Sequence, residues 1–429
     1  MSAVAKESVS AALWRRWRDP AAWSTTSDVF AILIAASLPW STTLVAIFAA
    51  ALLVSMAPFL DVKAFIQSLK RPICALPIAF FALAAVGTLW SDAPWGARLY
   101  AVGPTAKLLM LPVLLYHFER SARGVHVLIA FLASCVLLMV MSWIVAFDPG
   151  LALKSGAEYG VPVKNYIDQS QEFALCAVVL AYPVIALWRE RRTWLAALLV
   201  AISLSFIVNM LFVAVSRTAL VTMPIMVAVF ALLHLRWRSI VVIACTTAVV
   251  AGLAWATSPK LRWTTATFLR DYELYQERDE PTSIGLRLVY WRKSLRFFVD
   301  APVIGHGTGS IRGLFEEAAT GPKVLASGSV IANPHNQTLN VAIQWGAVGV
   351  VVLYAMWLAH LLLFRGEGLA TWIGLMVVVQ NIFTSLFNSH IFDFNEGWMY
   401  VLGVSIAGGM LLGKDPRQAT SGTRNCAQP

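Results

Sequence analysis

GLRLVYWRKSLRFFVDAPVIGHGTGS at residues 285–310 and NPHNQTLN at residues 333–340 mark the one long polar interval of this chain and its end. The interval covers residues 258–334, and long apolar runs precede and follow it. It contains arginines and a glycine-rich turn, and a histidine, His335, stands where apolar sequence resumes. This interval therefore divides the chain into two apolar parts and is where we expect any chemistry to take place.

The composition of the apolar parts indicates a membrane protein. Hydrophobic residues make up 59% of the 429 positions, charged residues 13%, and the mean hydropathy is +0.69. A soluble domain cannot bury that much apolar surface, whereas repeated apolar runs of about 18 residues or more suit transmembrane helices. Helices pair every backbone N–H and C=O internally, as hydrocarbon requires. We predict an all-α polytopic membrane protein.

The apolar runs predict about twelve transmembrane helices. They divide the chain into an N-terminal bundle of about nine spans at 1–257, a loop region at 258–334, and about three C-terminal spans with a tail at 335–429. The predicted spans are 28–39, 41–57, 72–90, 103–117, 124–147, 168–188, 193–214, 217–235, 238–257, 335–363, 370–388 and 396–413.

The charge distribution predicts the orientation of these spans. The formal net charge is +10, and basic residues concentrate in alternate short loops. Basic short loops face the cytoplasm, so both termini are predicted there and the long interval is predicted on the far side of the membrane, which is the periplasm if the host is Gram-negative. The positive charge is thus a topology signal, and we predict no nucleic-acid partner. The basic residues are Lys63, Lys70, Arg71, Arg120, Arg123, Arg189, Arg191, Arg192, Arg236, Arg238, Arg365, Lys414, Arg417 and Arg424.

Within the long loop, residues 285–299 predict an amphipathic helix that lies on the membrane surface or caps the bundle. Leu288, Trp291, Leu295 and Phe298 share its predicted apolar face. Residues 300–302, with the sequence DAP, end the helix, and three glycines at 305, 307 and 309 form the following turn. A nucleotide-binding loop is a weak alternative for this glycine pattern, because no predicted strand precedes it.

Two arginines are candidates for binding a phosphate. Arg217 lies between two apolar runs with no acid nearby in the sequence, and Arg287 lies on or beside the apolar face of the amphipathic helix. The planar guanidinium suits a diphosphate better than an ammonium group does. The alternatives are a snorkelling Arg217 and a salt bridge from Arg287 to Glu273 or Glu277.

His335 is the candidate general base, since imidazole titrates near neutral pH and can accept a proton from a sugar hydroxyl. It lies among hydrogen-bonding side chains, of which Asn336 is a secondary candidate. His390, close in sequence to Asp393, is a reserve candidate for the same role.

Lys107 lies inside the short fourth predicted span, and Arg98 precedes it. An intramembrane lysine is a functional candidate, here for a lipid phosphate, with snorkelling as the alternative. No metal site is predicted, since His and Cys residues do not cluster and the first outward loop, 39–43, has no carboxylate.

Three motifs resemble the superfamily of bacterial inner-membrane O-antigen ligases and polymerases: SRTAL at 216–220, GLRLVYW…DAPVIGHGTG at 285–309 and PHNQTL at 334–339. Their order, the number of spans and the long periplasmic loop are also similar. The resemblance implies a GT-C-like membrane glycosyltransferase that needs no cofactor. Its donor would be a glycan on undecaprenyl diphosphate, and its acceptor would be the lipid A–core oligosaccharide.

In this resemblance, Arg217 and Arg287 bind the diphosphate, and His335 is the general base of an inverting, metal-independent transfer. Ligase and polymerase share the motifs. Arg296 and Gly307 fit the Arg-x10-Gly pattern of polymerases once, but the loop at 148–167 contains no arginine, so a ligase in lipopolysaccharide biosynthesis is favoured. A protein O-oligosaccharyltransferase and a transporter of lipid-linked glycans are the remaining alternatives. A transporter would predict two similar halves, which this sequence lacks.

Overall fold

The computed structural model describes residues 19–154, 158–234, 236–322 and 324–413, and their regular elements are α-helices with short 3₁₀ turns. The predicted tail, with Lys414, Arg417 and Arg424, lies outside the described residues. The helices are α1 Pro20–Ser37, α2 Thr42–Met56, α3 Val62–Leu69, α4 Pro72–Val86, α5 Trp95–Ala106, α6 Met110–Phe118, α7 Gly124–Phe147, α8 Tyr166–Val179, α9 Ala181–Arg189, α10 Thr193–Phe212, α11 Arg217–His234, α12 Trp237–Thr257, α13 Pro259–Arg278, α14 Ser283–Asp300, α15 Ile311–Glu317, α16 Gln337–Leu363, α17 Leu369–Thr384 and α18 Phe394–Leu412.

The predicted all-α polytopic fold is confirmed, with seven or more helices that could cross a membrane. Among the described residues, seven helices are long and apolar enough to cross a membrane, or eight if the pair α3–α4, bent by 80°, is one span. Two of the twelve predicted spans fall on shorter apolar helices, α11 and α17. Two more, 28–39 and 396–413, fall on α1 and α18, which are 18 and 19 residues long but include Asp28 and Glu396.

Helix α18 forms the centre of the bundle. All of its residues from Asn395 to Gly409 are buried, although Glu396 is among them. It packs against α6, α7 and α17. Because α18 has no face toward lipid or water along this length, its polar residues must be paired inside the protein.

The polar interval folds into α13, α14 and α15, and α14 ends at Asp300 as predicted. Its buried face, however, is not the predicted one. Val289, Tyr290 and Phe297 are buried against α15 and α16, whereas Leu295 is 54% exposed. The spacing of apolar residues could not predict which of two adjacent apolar faces of α14 is buried, because that depends on where α15 and α16 lie.

The glycine turn completes a break in α16. At Gly346 the backbone has φ 59° and ψ −154°, which interrupts the helix. The turn supplies the missing partners: the N–H groups of residues 306 and 307 donate to the carbonyls of 343 and 344 at 2.8 Å, and the carbonyls of 302 and 303 accept from the N–H groups of 347 and 348. The N–H groups of residues 306 and 307 therefore already have partners within the fold. The glycine pattern is thus explained by this turn and does not require a nucleotide-binding loop.

We expect Gly346→Ala to destabilise the protein. A Cβ at this position would lie 2.4 Å from the carbonyl carbon and oxygen of Val303, and φ of +59° is strained for alanine. Strain of this kind costs at least about 2 kcal/mol. The midpoint of thermal unfolding in detergent should fall by several degrees. Gly252→Ala in α12 is the matched control, since nothing lies within 4 Å of its added Cβ. Equal midpoints for the two variants would contradict this role of Gly346.

Candidate active site

The structure brings together the three principal candidates from distant parts of the sequence. Arg217 begins α11, Arg287 lies in the first turns of α14, and His335 stands two residues before α16. Burial and then the charge of Arg217 lower the pKa of Arg287. The charge of Arg287 in turn contributes to lowering the pKa of His335. The three side chains thus lie within electrostatic reach of one another, with Arg287 interacting with both of the others.

Arg217 has an acidic neighbour, contrary to the expectation from sequence. Its Nη1 lies 3.5 Å from Oδ2 of Asp271, and its Nη2 donates to Oγ1 of Thr267 at 3.0 Å. Both partners belong to α13, 50 and 54 residues further along the chain, and this helix folds back over the start of α11. The ion pair is long and the side chain is 32% exposed. Of the five guanidinium donors, some therefore remain available to a ligand.

Arg287 is half-buried and has no hydrogen bond or ion pair with any residue that the structure describes. The alternative of a salt bridge to Glu273 or Glu277 is therefore not observed. A guanidinium that is partly removed from water, beside a second guanidinium, is unfavourable without an anion. Two arginines in this arrangement are well suited to a diphosphate, whose oxygens can accept from both.

His335 is held in an unusual backbone conformation. Its φ is +53°, a region that residues other than glycine seldom adopt, and its N–H donates to Oδ1 of Asn333 at 3.0 Å. The imidazole stacks on the ring of Tyr290, with centroids 6.1 Å apart and an interplanar angle of 26°. Tyr290 is itself fixed by a 2.9 Å hydrogen bond with Ser329. Such strain is typical of functional residues whose surroundings hold them in place.

The chemistry of His335 suits proton abstraction. Its Nδ1 lies 2.9 Å from Oδ1 of Asn388. Burial first, and then the positive charge of Arg287, lower the pKa of His335 below its ordinary value, although Asn388 and Asp393 oppose this effect. The imidazole is therefore neutral at neutral pH, which is the form that can accept a proton.

Two secondary candidates have partners within the fold. Asn336 caps α16, since its Oδ1 accepts from the N–H of Leu339 at 3.0 Å, and its Nδ2 donates to the carbonyl of Leu386. Arg98 donates to the carbonyls of Thr88 and Ala93. A direct role of either residue in binding substrate stays a prediction.

The other two secondary candidates, Lys107 and His390, belong to one ionic cluster. Lys107 donates to the carbonyl of Phe392 at 3.0 Å and to that of Asp393. His390 is 1% exposed, and its Nδ1 lies 3.3 Å from Oδ2 of Asp393 and 3.6 Å from Oε1 of Glu396. Burial disfavours the charged imidazole, but Glu396 and Asp393 outweigh it and raise the pKa of His390 to about 9. The cluster thus pairs two cations with two carboxylates.

The same cluster contains the ligand set of a metal site, which the sequence did not reveal. One ligand atom each of His390, Asp393 and Glu396 lies within 4.8 Å of the others. A divalent cation would have to displace the proton of His390 and accept Lys107 as a close positive neighbour. Both positive charges oppose the binding of a divalent cation to the two carboxylates.

A second polar group joins α18 to α8. Lys164 donates to the carbonyl of Leu38 and to Oδ1 of Asn395, whose Nδ2 donates to Oε1 of Glu172 at 2.6 Å. Sequence reasoning missed these residues, as it missed Asn388 and Glu396. The available signal was the presence of acids and amides inside or beside apolar runs, where they are expensive unless they are paired.

Comparison with known families gives one match, which covers the middle of the chain. Residues 203–354 match a family model described as O-antigen ligase, and this segment contains Arg217, Arg287 and His335. No curated protein matches the chain. The motif-based recognition of this family is therefore confirmed.

The ionic cluster predicts a pH dependence of stability. The folded pKa of His390, about 9, exceeds its usual value of 6.5, so its contribution is complete below about pH 6.5 and is lost as pH rises through about 9. The difference between the two pKa values corresponds to about 3 kcal/mol in the free energy of unfolding. As the pH is raised from about 6 to about 10, the midpoint of thermal unfolding should therefore decrease in the wild type. The decrease should be much smaller in His390→Gln. Parallel pH curves for the two proteins would contradict this assignment.

Proposed function

We propose that this protein, whose residues 203–354 match the O-antigen ligase family, is an O-antigen ligase of the bacterial inner membrane. It transfers a glycan from undecaprenyl diphosphate to the lipid A–core oligosaccharide in lipopolysaccharide biosynthesis. The active site faces the periplasm and both termini are cytoplasmic. The observation that supports this proposal best is the unpaired Arg287 between Arg217 and a neutral His335, all within the matched segment.

The arginines act on the leaving group. As the bond between the sugar and the diphosphate breaks, its electron pair moves to the diphosphate oxygen and negative charge develops there. Arg287 and Arg217 donate hydrogen bonds to that charge and stabilise the transition state. Because the guanidinium groups are held by the fold before the reaction, little reorganisation is needed. The bond to Thr267 and the ion pair to Asp271 orient Arg217 for this task.

His335 acts on the acceptor. Its ring accepts the proton of the acceptor hydroxyl, whose oxygen forms the new bond to the anomeric carbon from the side opposite the diphosphate. A single displacement of this kind inverts the anomeric centre. The products are the linked glycan, undecaprenyl diphosphate and the imidazolium of His335. No nucleoside triphosphate is needed, since cleavage of the bond between the sugar and the diphosphate supplies the driving force.

The proposed transfer is metal-independent. The two guanidinium groups supply the positive charge that a divalent cation contributes in other diphosphate-dependent enzymes. In the ionic cluster, His390 lies within 3.6 Å of both carboxylates and Lys107 is close by, so their positive charges disfavour a cation there.

An O-antigen polymerase is the second candidate, since the family match and the three principal residues are compatible with both reactions. The two differ in the acceptor, which for a polymerase is another lipid-linked glycan. The polar surface beside α14 does not distinguish a lipid A–core sugar from such a glycan. The acceptor must therefore be identified by experiment.

Purified protein should transfer glycan from an undecaprenyl-diphosphate donor to lipid A–core in detergent, with EDTA present. His335→Ala should reduce the rate by about 10²-fold or more, as expected for loss of a general base. Products are separated on gels with lipid A–core in one reaction and donor alone in the other. Chain growth with donor alone would show a polymerase, and loss of activity with EDTA would exclude the metal-independent mechanism. A folded protein with no transfer in either reaction would leave a transporter as the better hypothesis.

Replacing the arginines should affect the donor. We expect Arg287→Lys and Arg217→Lys to lower kcat/KM by about 10²-fold, because lysine cannot form the paired hydrogen bonds of a guanidinium group. Arg292→Lys on the exposed side of α14 is the matched control and should retain wild-type kinetics. Rates of Arg287→Lys and Arg217→Lys equal to that of the control would show that neither arginine binds the diphosphate.

A further inference from the structure

The side chain of Asn388 lies between His335 and the ionic cluster. Its Oδ1 is 2.9 Å from Nδ1 of His335 and 3.1 Å from Nδ2 of Asn333. Its Nδ2 donates to Oδ2 of Asp393 at 2.6 Å. Asn388 belongs to the connection between α17 and α18, where neither the motifs nor the family resemblance indicates a function.

The neighbours of Asn388 determine which way its amide points. A carboxylate can only accept hydrogen bonds, so the atom facing Asp393 must be the NH₂ group. On the other side, Oδ1 of Asn333 accepts from the backbone N–H of His335, so Nδ2 of Asn333 must be the atom that faces Asn388. The atom of Asn388 that accepts this hydrogen bond from Asn333 is therefore an oxygen. Two independent constraints give the same orientation.

This orientation determines the tautomer of His335. Because Oδ1 of Asn388 can only accept, Nδ1 of His335 must carry the proton. The neutral ring then has its lone pair on Nε2, which has no hydrogen-bond partner among the residues described and is available to the acceptor hydroxyl. Tyr290, stacked on the ring, limits its rotation out of this plane.

We propose that Asn388 is a positioning residue that keeps His335 in the Nδ1–H tautomer, with Nε2 as the proton acceptor. This inference rests on the proposed function, since it assigns the atom that performs the proton transfer there. Asn388 acts through His335 and does not itself contact the substrate.

The ionic cluster holds in place the residue that accepts the hydrogen bond of Asn388. Oδ2 of Asp393, which accepts the hydrogen bond from the amide of Asn388, is 3.3 Å from Nδ1 of His390. The backbone carbonyl of Asp393 accepts a hydrogen bond from Lys107. The cluster therefore fixes the carboxylate that orients Asn388. This gives the buried charges at the start of α18 a role in the reaction as well as in packing.

A neutral amide at this position also keeps the base uncharged. The charged groups that face His335 are Arg287 from α14 and Asp393 and His390 from the connection to α18. An aspartate at 388 would add a negative charge directly against Nδ1 and favour the imidazolium. An amide accepts the same hydrogen bond without that charge.

Asn388→Leu should lower kcat by about 10²-fold with little change in KM for the lipid-linked donor, because the arginines are untouched. Asn381→Leu on α17 is the matched control, since Asn381 is also buried and accepts from Trp357, which is outside the site. A purely structural role of Asn388 would lower the yield or the unfolding midpoint of both variants without this selective loss of kcat. A wild-type kcat in Asn388→Leu would overturn the proposal.

The tautomer can be measured without any assay. Nitrogen-15 NMR of histidine-labelled protein, with His335→Gln to assign the signal, should show His335 protonated at Nδ1 in the wild type. A proton at Nε2 would overturn the inference even if transfer is normal. If the wild-type protein transfers to neither acceptor while the Nδ1–H form is observed, the proposed function fails and the positioning of His335 by Asn388 stands.

Discussion

The structure depends on an exchange of backbone hydrogen bonds between the break in α16 and the turn at 302–309. An interrupted helix inside an apolar bundle leaves donors and acceptors without partners, which is expensive where water is absent. Here the turn accepts and donates the missing bonds, and Thr308 adds hydrogen bonds to Trp345 and to the carbonyl of Ala84. This exchange ties the polar interval to α4 and α16. It thereby fixes the end of α14, whose first turns carry Arg287.

The same requirement for internal pairing explains the charges on the central helix. Glu396 lies on α18, which is buried along most of its length, and it is compensated by His390 with Lys107 nearby. Asn395, its neighbour, is paired with Lys164 and Glu172. Removing one partner from such a group leaves an uncompensated charge, so the members are mutually dependent. Their arrangement fixes the connection that ends at α18 and contains Asn388.

At the candidate site the protein maintains groups that are individually unfavourable. Arg287 has no anionic partner among the residues described, Arg217 has a long ion pair and a hydrogen bond to Thr267, and His335 has a left-handed backbone. Arrangements of this kind persist when the surrounding fold over-determines them, and they favour a ligand that completes them. A diphosphate would relieve the repulsion between the two arginines. In the proposed transfer, one arrangement of charge would therefore serve both the binding of the donor and the stabilisation of the leaving group.

The sequence by itself determined the helical membrane fold, the C-terminal end of α14 and the glycine turn, and it predicted the three principal candidates for the site. These follow from hydropathy, from residues with special backbone preferences and from short motifs, all of which are local. It could not determine which face of α14 is buried, the pairing of Arg217 with Asp271, or the cluster of Lys107, His390, Asp393 and Glu396. Nor could it show that Asn388 meets His335, 53 residues away. Those contacts were decided by the tertiary structure, because they join helices distant in sequence and depend on where the breaks and bends place each helix end.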